Sequence, residues 1–231
     1  MKIRTLDELL DFSDKELAWR KKEITLAFSN YVDSKNEIQK NYYMRVFIML
    51  LYSHWEGYIK SVSSAYINYI VNKKLRFSAL KQNFIAASLS SKVDNNFSIK
   101  NIRHKNEMVK LLLQNLSQEK FTGDSDVIIN TESNLNIDVL GKICITVGVD
   151  INLLDIQKIW LDERLLKYRN KIAHGERMNC QEITFDLQEL KDLFIQLLMK
   201  YQTLISNAAS TRSYLANEKI TDEITNQRKN P

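Results

Sequence analysis

Between residues 1 and 230 the chain contains no proline, and its only glycines are Gly57, Gly123, Gly141, Gly148 and Gly175. Turn-rich β architectures need far more of both residues, so a chain this sparsely punctuated is committed to long helices. Hydrophobic residues make up 44% of it and charged residues 26%, the balance of a domain that buries a core. The fold class that follows is all-α.

Capping pairs place the helix starts. Thr5 with Glu8, Ser13 with Glu16, Ser34 with Glu37 and Asp186 with Glu189 each set a short oxygen side chain three residues before a glutamate. That spacing satisfies the free amides of a first helical turn. It predicts a short helix over 6–12, a longer one over 14–32 and a very long one over 36–73. The last of these is apolar around much of its circumference, as a central bundle helix should be. Further helices are expected over 77–92, 104–119, 138–147 and 161–174, with a long one over 187–207. KNIRHK (100 to 105) reads as a basic loop, and Val127 to Ile129 as a short extended piece. The helical domain is expected to cover 1–209, followed by a polar, flexible tail over 210–231.

Several function classes are excluded at this level. The longest apolar run, VFIMLLY at 46 to 52, falls far short of the roughly 20 residues that span a bilayer. The first residues, MKIRTLDELLDF, carry acids where a secretory signal needs an apolar core. Cys144 and Cys180 have no metal-binding spacing and read as reduced thiols, so a cytoplasmic protein without membrane contact is expected. The GDSD stretch at 123 to 126 lacks the further ligands of a calcium loop, and no phosphate-binding glycine loop occurs. Neither metal nor cofactor is expected. The net charge of +5 suits a polyanionic partner and equally suits solvated helix faces.

One stretch concentrates chemistry: KYRNKIAHGE, from Lys167 to Glu176. Gly175 stands where a helix needs a left-handed residue to stop, which puts His174 in the last turn. Asn170 and His174 are four apart and share a side, and the long stem of Arg169 can swing its guanidinium toward them. A cation, an amide and an imidazole at one helix end can cut RNA without a metal, because RNA carries its own nucleophile in the 2′-hydroxyl. The imidazole can act as base or acid, and both roles stay open. The guanidinium can grip phosphate oxygens and steady the charge of the transition state. Taken alone, the same residues also fit a surface ion pair and a histidine capping its own helix.

RNKIAHGE, preceded by LDERLLKY, resembles the R-x4-6-H motif of the HEPN superfamily, with a polar residue directly after the arginine. SHWEGYIK at 53 to 60 resembles the companion helix of bacterial HEPN branches of the RiboL-PSP and MAE types, which are tied to toxin–antitoxin and phage-defence loci. The resemblance runs from AWRKKE (18 to 23) through the last long helix. It implies a HEPN-like helical bundle with long antiparallel helices, catalytic Arg169 and His174, Asn170 in the polar position, and a metal-independent endoribonuclease acting as a homodimer. It further implies an RNA substrate and a neutralising antitoxin or defence-system partner. HEPN toxins silenced by nucleotidyl transfer carry a tyrosine two positions after the histidine; Glu176 stands there instead.

The dimer also follows from chemistry, since transphosphorylation is best served by a base and an acid on opposite sides of the phosphate and each chain supplies one motif histidine. Glu56 could orient Arg169 or simply pair with Lys60 one turn on. Lys100, Arg103, His104 and Lys105 are candidates for phosphate-backbone contact, or a solvated loop. Trp55, Tyr58 and Tyr66 are expected in the core, and His54 as a hydrogen-bonded bundle histidine. The alternative function is a non-catalytic HEPN module that binds RNA, nucleotide or a protein partner.

Overall fold

The computed structural model describes residues 2–92, 101–115, 119–132, 134–154 and 164–216. Eight α-helices are described: α1 (Leu6–Val32), α2 (Glu37–Asn72), α3 (Gln82–Lys92), α4 (Ile102–Asn115), α5 (Ser125–Ile128), α6 (Ile137–Val147), α7 (Lys167–Ala173) and α8 (Leu187–Ser210). Among the described residues the only β pairing is two isolated bridges, Arg76 with Lys120 and Leu80 with Leu215. The chain is all-α.

The first helix starts as the capping pair predicts. Glu8 N–H donates to Thr5 Oγ1 at 3.1 Å, and Glu8 Oε2 accepts from Thr5 N–H at 3.2 Å. The expected break at Ser13 does not occur, and α1 is one continuous helix. Ser13 is buried with its hydroxyl 3.4 Å from that of Tyr58, and Glu16, the would-be capping glutamate, is taken by Arg20 at 2.6 Å. The cap of α2 also shifts, to Asn36, whose Oδ1 accepts from Gln39 N–H. Ser34 instead donates to the carbonyls of Asn30 and Tyr31 and closes α1.

The pairs that join α1 to α2 run in opposite order along the two helices. Ile3 meets Asn68, Ser13 meets Tyr58, Glu23 meets His54 and Phe28 meets Phe47, so the two are antiparallel. Helix α8 is also antiparallel to α1, with Gln202 on Asp14 and Lys191 over the Phe28 ring. It therefore runs parallel to α2, which Trp55 against Phe194 and Ser63 against Tyr201 bear out. Trp55, Tyr58 and Tyr66 are fully buried, as the sequence predicts, and α2 is buried around most of its girth from Met44 to Ile70. Each such large side chain contributes about 1.5–3 kcal/mol relative to exposure.

Helices α3, α5, α6 and α7 pack against this three-helix core. Phe84 of α3 packs edge-on against Tyr66 and Phe121. The segment expected to be extended around Val127 is the single helical turn α5, started by Asp124 Oδ1 accepting from Asp126 N–H. KNIRHK is not a loop in its described part: α4 begins at Ile102, after the Asn101 side chain accepts from Arg103 N–H. Residues 211–216, expected in a flexible tail, turn back onto the bundle. Tyr214 is buried against Tyr69, and its carbonyl accepts from Lys81 N–H. Residues 217–231 lie outside the described part.

Candidate functional site

Helix α7 is short and anchored from one side. Leu165 and Leu166, in a π-helical turn at 164–166 just before it, are buried in the core. Tyr168 follows, with its hydroxyl donating to the Glu182 carbonyl at 3.1 Å and its ring edge-on to Phe185. These anchors fix the rotation of α7 and so decide where the next residues point.

The helix ends as the sequence predicts. Gly175 has φ 81, in the left-handed region, and nothing lies within 4 Å of where its Cβ would be. Its N–H donates to the Ile172 carbonyl and that of Glu176 to the Lys171 carbonyl, the paired bonds of a Schellman closure. His174 is the terminal residue of the helix and its side chain is exposed. The following loop is tied to α2, with Arg45 Nη1 donating to the Met178 carbonyl and Cys180 N–H donating to Asn41 Oδ1, both at 2.6 Å.

Arg169 is half-buried and held by two contacts. Its guanidinium lies over the Tyr52 ring, with Cζ 4.3 Å from the centroid. At a site this exposed such a contact is worth about 0.5–1 kcal/mol. Its Nη1 donates to Asn170 Oδ1 at 2.8 Å, so the amide of the polar position turns to the arginine. Its Nε is buried and meets no acceptor among the described residues. Tyr52, whose role the sequence reading missed, is itself buried, and its hydroxyl accepts from Leu135 N–H at 2.8 Å. Burial first, and then the Glu56 carboxylate within reach of its proton, push that hydroxyl up to about 12; the Leu135 N–H and Arg169 oppose the shift. Glu56 stands one turn along α2 from that ring and makes no ion pair with Arg169 among the described residues. The signal in the sequence was the four-residue spacing from Tyr52 to Glu56, which sets them side by side on α2.

The structure does not bring Arg103 or Lys105 to this cluster. Arg103 and Lys105 are exposed and His104 half-exposed in the first turn of α4, and none of the described hydrogen bonds, ion pairs or ring contacts links Arg103 or Lys105 to α7. Lys100 lies outside the described residues.

A second polar cluster sits on another side of α2, and sequence reasoning passed over it. Arg20 is 5% exposed, donates through Nη1 to Glu16 Oε2 and to the Glu16 carbonyl, and lies 4.3 Å over the Trp19 ring. Gly57 makes room for it, since a Cβ there would stand 3.3 Å from Arg20 Nη2. Beside it, buried His54 has Nε2 3.2 Å from Glu23 Oε2, close enough for an ion pair but not aligned as a hydrogen bond, and its ring meets Trp19 edge-on. Burial holds the His54 pKa below the usual histidine range, with Glu23 pulling it up and Arg20 pushing it down.

Segment SHWEGYIK therefore faces both clusters: Glu56 adjoins the Arg169 side, while His54 and Gly57 adjoin the Arg20 side that AWRKKE supplies. No helix among the described residues is long and apolar enough to cross a membrane. Comparison with curated proteins and with solved structures gave no match. The family model described as RiboL-PSP-HEPN matches residues 15–211, a span that begins before Arg20, includes both polar clusters and ends just after α8. The chain belongs to the RiboL-PSP-HEPN family.

Proposed function

We propose that this chain is a metal-independent endoribonuclease, a toxin or defence effector. It cleaves RNA to a 2′,3′-cyclic phosphate and a 5′-hydroxyl. The observation that carries this reading is the state of Arg169: a guanidinium seated on an aromatic ring and an amide oxygen, paired with no carboxylate among the described residues, one helical turn before an exposed histidine. A structural arginine is normally paired with a carboxylate where it is half-buried; this one has none among the described residues, which leaves its charge for a phosphate.

In the reaction the RNA 2′-oxygen forms a bond to phosphorus as the bond to the 5′-oxygen breaks. One imidazole takes the 2′ proton and another protonates the leaving 5′-oxygen. Arg169 binds the non-bridging oxygens as charge builds on them. Because each chain brings one His174, two copies complete the site. Exposed Ile38, Tyr42 and Val46, four apart on α2, form an apolar strip on the helix whose Asn41 and Arg45 hold the loop after Gly175. That placement supports pairing of two copies beside their motif helices.

The test is cleavage of single-stranded RNA in EDTA, with product ends identified. Wild type should cut under these conditions, while Arg169→Ala and His174→Ala should lose about 10²–10⁴-fold. Sedimentation of the active protein should show a dimer. Chelator-sensitive cleavage, full activity in either variant, or an active monomer would each dismiss the reading as stated.

A further inference from the structure

A pocket of about 170 Å³ opens between α1 and the segment that leads from the motif loop into α8. The rings of Phe28 and Tyr31, 6.0 Å apart and tilted by 45°, line it from α1, and Phe185 lines it from the segment before α8. All three are only half-buried, so ring surface is left for a ligand. The Cys180 thiol and the Asp186 side chain complete the lining. Pockets that enclose drug-sized ligands run to roughly 300–1,000 Å³, so this one suits a single small ring system. It adjoins the motif: Phe185 meets Tyr168 edge-on at 5.3 Å, directly before Arg169, and Cys180 lies in the segment that follows Gly175.

The charges around the rings narrow the ligand. Lys191 Nζ stands 4.8 Å from the Phe28 centroid, Lys40 Nζ 5.6 Å from that of Tyr31, and Arg164 Cζ 5.9 Å from that of Phe185. Lys191 is shared with Asp192 at 3.4 Å, whereas Lys40 is exposed on α2. Cations already beside the rings disfavour a cationic ligand and favour a flat ring joined to an anion. A nucleotide has both parts, a base that stacks on aromatic side chains and a phosphate that meets a lysine. Asp186 selects among the bases. Its Oδ1 caps α8 by accepting from Gln188 N–H at 2.7 Å, which leaves Oδ2 for a ligand. A carboxylate only accepts, and guanine is the RNA base that presents a ring N–H and an amino group side by side.

Resting on the nuclease reading, we propose that this pocket is a specificity subsite for one unpaired guanine of the RNA substrate. Phe28, Tyr31 and Phe185 stack the base, Asp186 reads its N–H edge, and Lys40 takes a flanking phosphate.

Cys180 reports on the pocket from inside it, because the other cysteine, Cys144, is buried. Burial holds the Cys180 thiol above its ordinary pKa, so alkylation by iodoacetamide is timed at one alkaline pH. The additions are guanosine, adenosine, cytidine or uridine 5′-monophosphate, or inorganic phosphate. Guanosine 5′-monophosphate should slow the reaction at least about fivefold, and the others much less. Asp186→Asn, which keeps a capping side chain, should erase the preference, and Phe185→Leu should weaken protection by every nucleotide. RNA cut from a random-sequence pool should carry guanine at one fixed place relative to the cut, and Asp186→Asn should abolish that bias. No slowing, equal slowing by all four nucleotides, slowing by phosphate alone, or preference for another base would each overturn the proposal. If wild type cuts no RNA, the nuclease reading falls, and the alkylation rates still decide whether the pocket binds guanine. If wild type cuts RNA without a fixed guanine, the nuclease reading stands and the subsite falls. If Phe185→Leu does not fold, Asp186→Asn decides.

Discussion

Two arginines lie on different sides of α2, each with its Cζ 4.3 Å from an aromatic centroid and each with a buried Nε that meets no acceptor among the described residues. The likeness ends there. Arg20 is neutralised by Glu16, shut in by Gly57 and nearly inaccessible. Arg169 is half-exposed, held by an amide oxygen in place of a carboxylate, and followed by a histidine in solvent. A buried ion pair holds a bundle together only while both partners are present. A cation seated without a counter-ion adds little to stability and remains available to a ligand. The contrast separates an arginine closed into an ion pair from one left without a counter-ion, although both are contacted in nearly the same way.

Substituting each arginine in turn should break the comparison most sharply. Arg169→Ala should cost about 10²–10³-fold in RNA cleavage while denaturant unfolding shifts by no more than about 1 kcal/mol. Arg20→Ala should do the reverse, losing about 3 kcal/mol of stability because Glu16 is left without its partner. Equal effects on both measurements would erase the distinction. A smaller change tests the seat of Arg20 alone. Gly57→Ala places a methyl group 3.3 Å from Nη2, and a stability loss of about 1 kcal/mol is expected from the crowding. Unfolding midpoints check it, and a neutral result would mean that the guanidinium shifts freely.

The smallest effect is pH-dependent and belongs to the Arg20 side only. The folded pKa of His54 lies below its ordinary value, so the folded state favours the neutral ring. The stability this supplies is fully present above about pH 6.5 and is lost as pH falls from there toward the folded pKa. Between pH 7 and 5, wild type should therefore lose more stability than His54→Gln, as read from urea midpoints. Parallel profiles would remove His54 from the account.

Much of this fold was legible because local signals and tertiary contacts agree. Thr5 and Glu8 cap α1, Gly175 closes α7 and the apolar girth of α2 makes it central. Two of the errors come from residues drawn into tertiary contacts that spacing does not show. Ser13 and Glu16 have the spacing of a capping box, but Tyr58 and Arg20 claim them. Tyr214 has the polar neighbours of a frayed tail, yet it packs on Tyr69. At the candidate site, spacing within α7 was enough to single out Arg169, Asn170 and His174. Tyr52 was not legible in the same way, because no local pattern says that a tyrosine in α2 lies beneath an arginine in α7. Asn101, directly before Ile102, was a readable helix start that the basic character of KNIRHK obscured.

Tyr52 and Gly57 are five residues apart on α2, and they adjoin different arginines. Helix α2 is thus keyed like a shaft with two slots. Turning it to relieve crowding at one arginine would drag the other out of alignment. Substitutions in the contact between α1 and α2 therefore reach the Arg169–His174 end through the angular setting of a single helix.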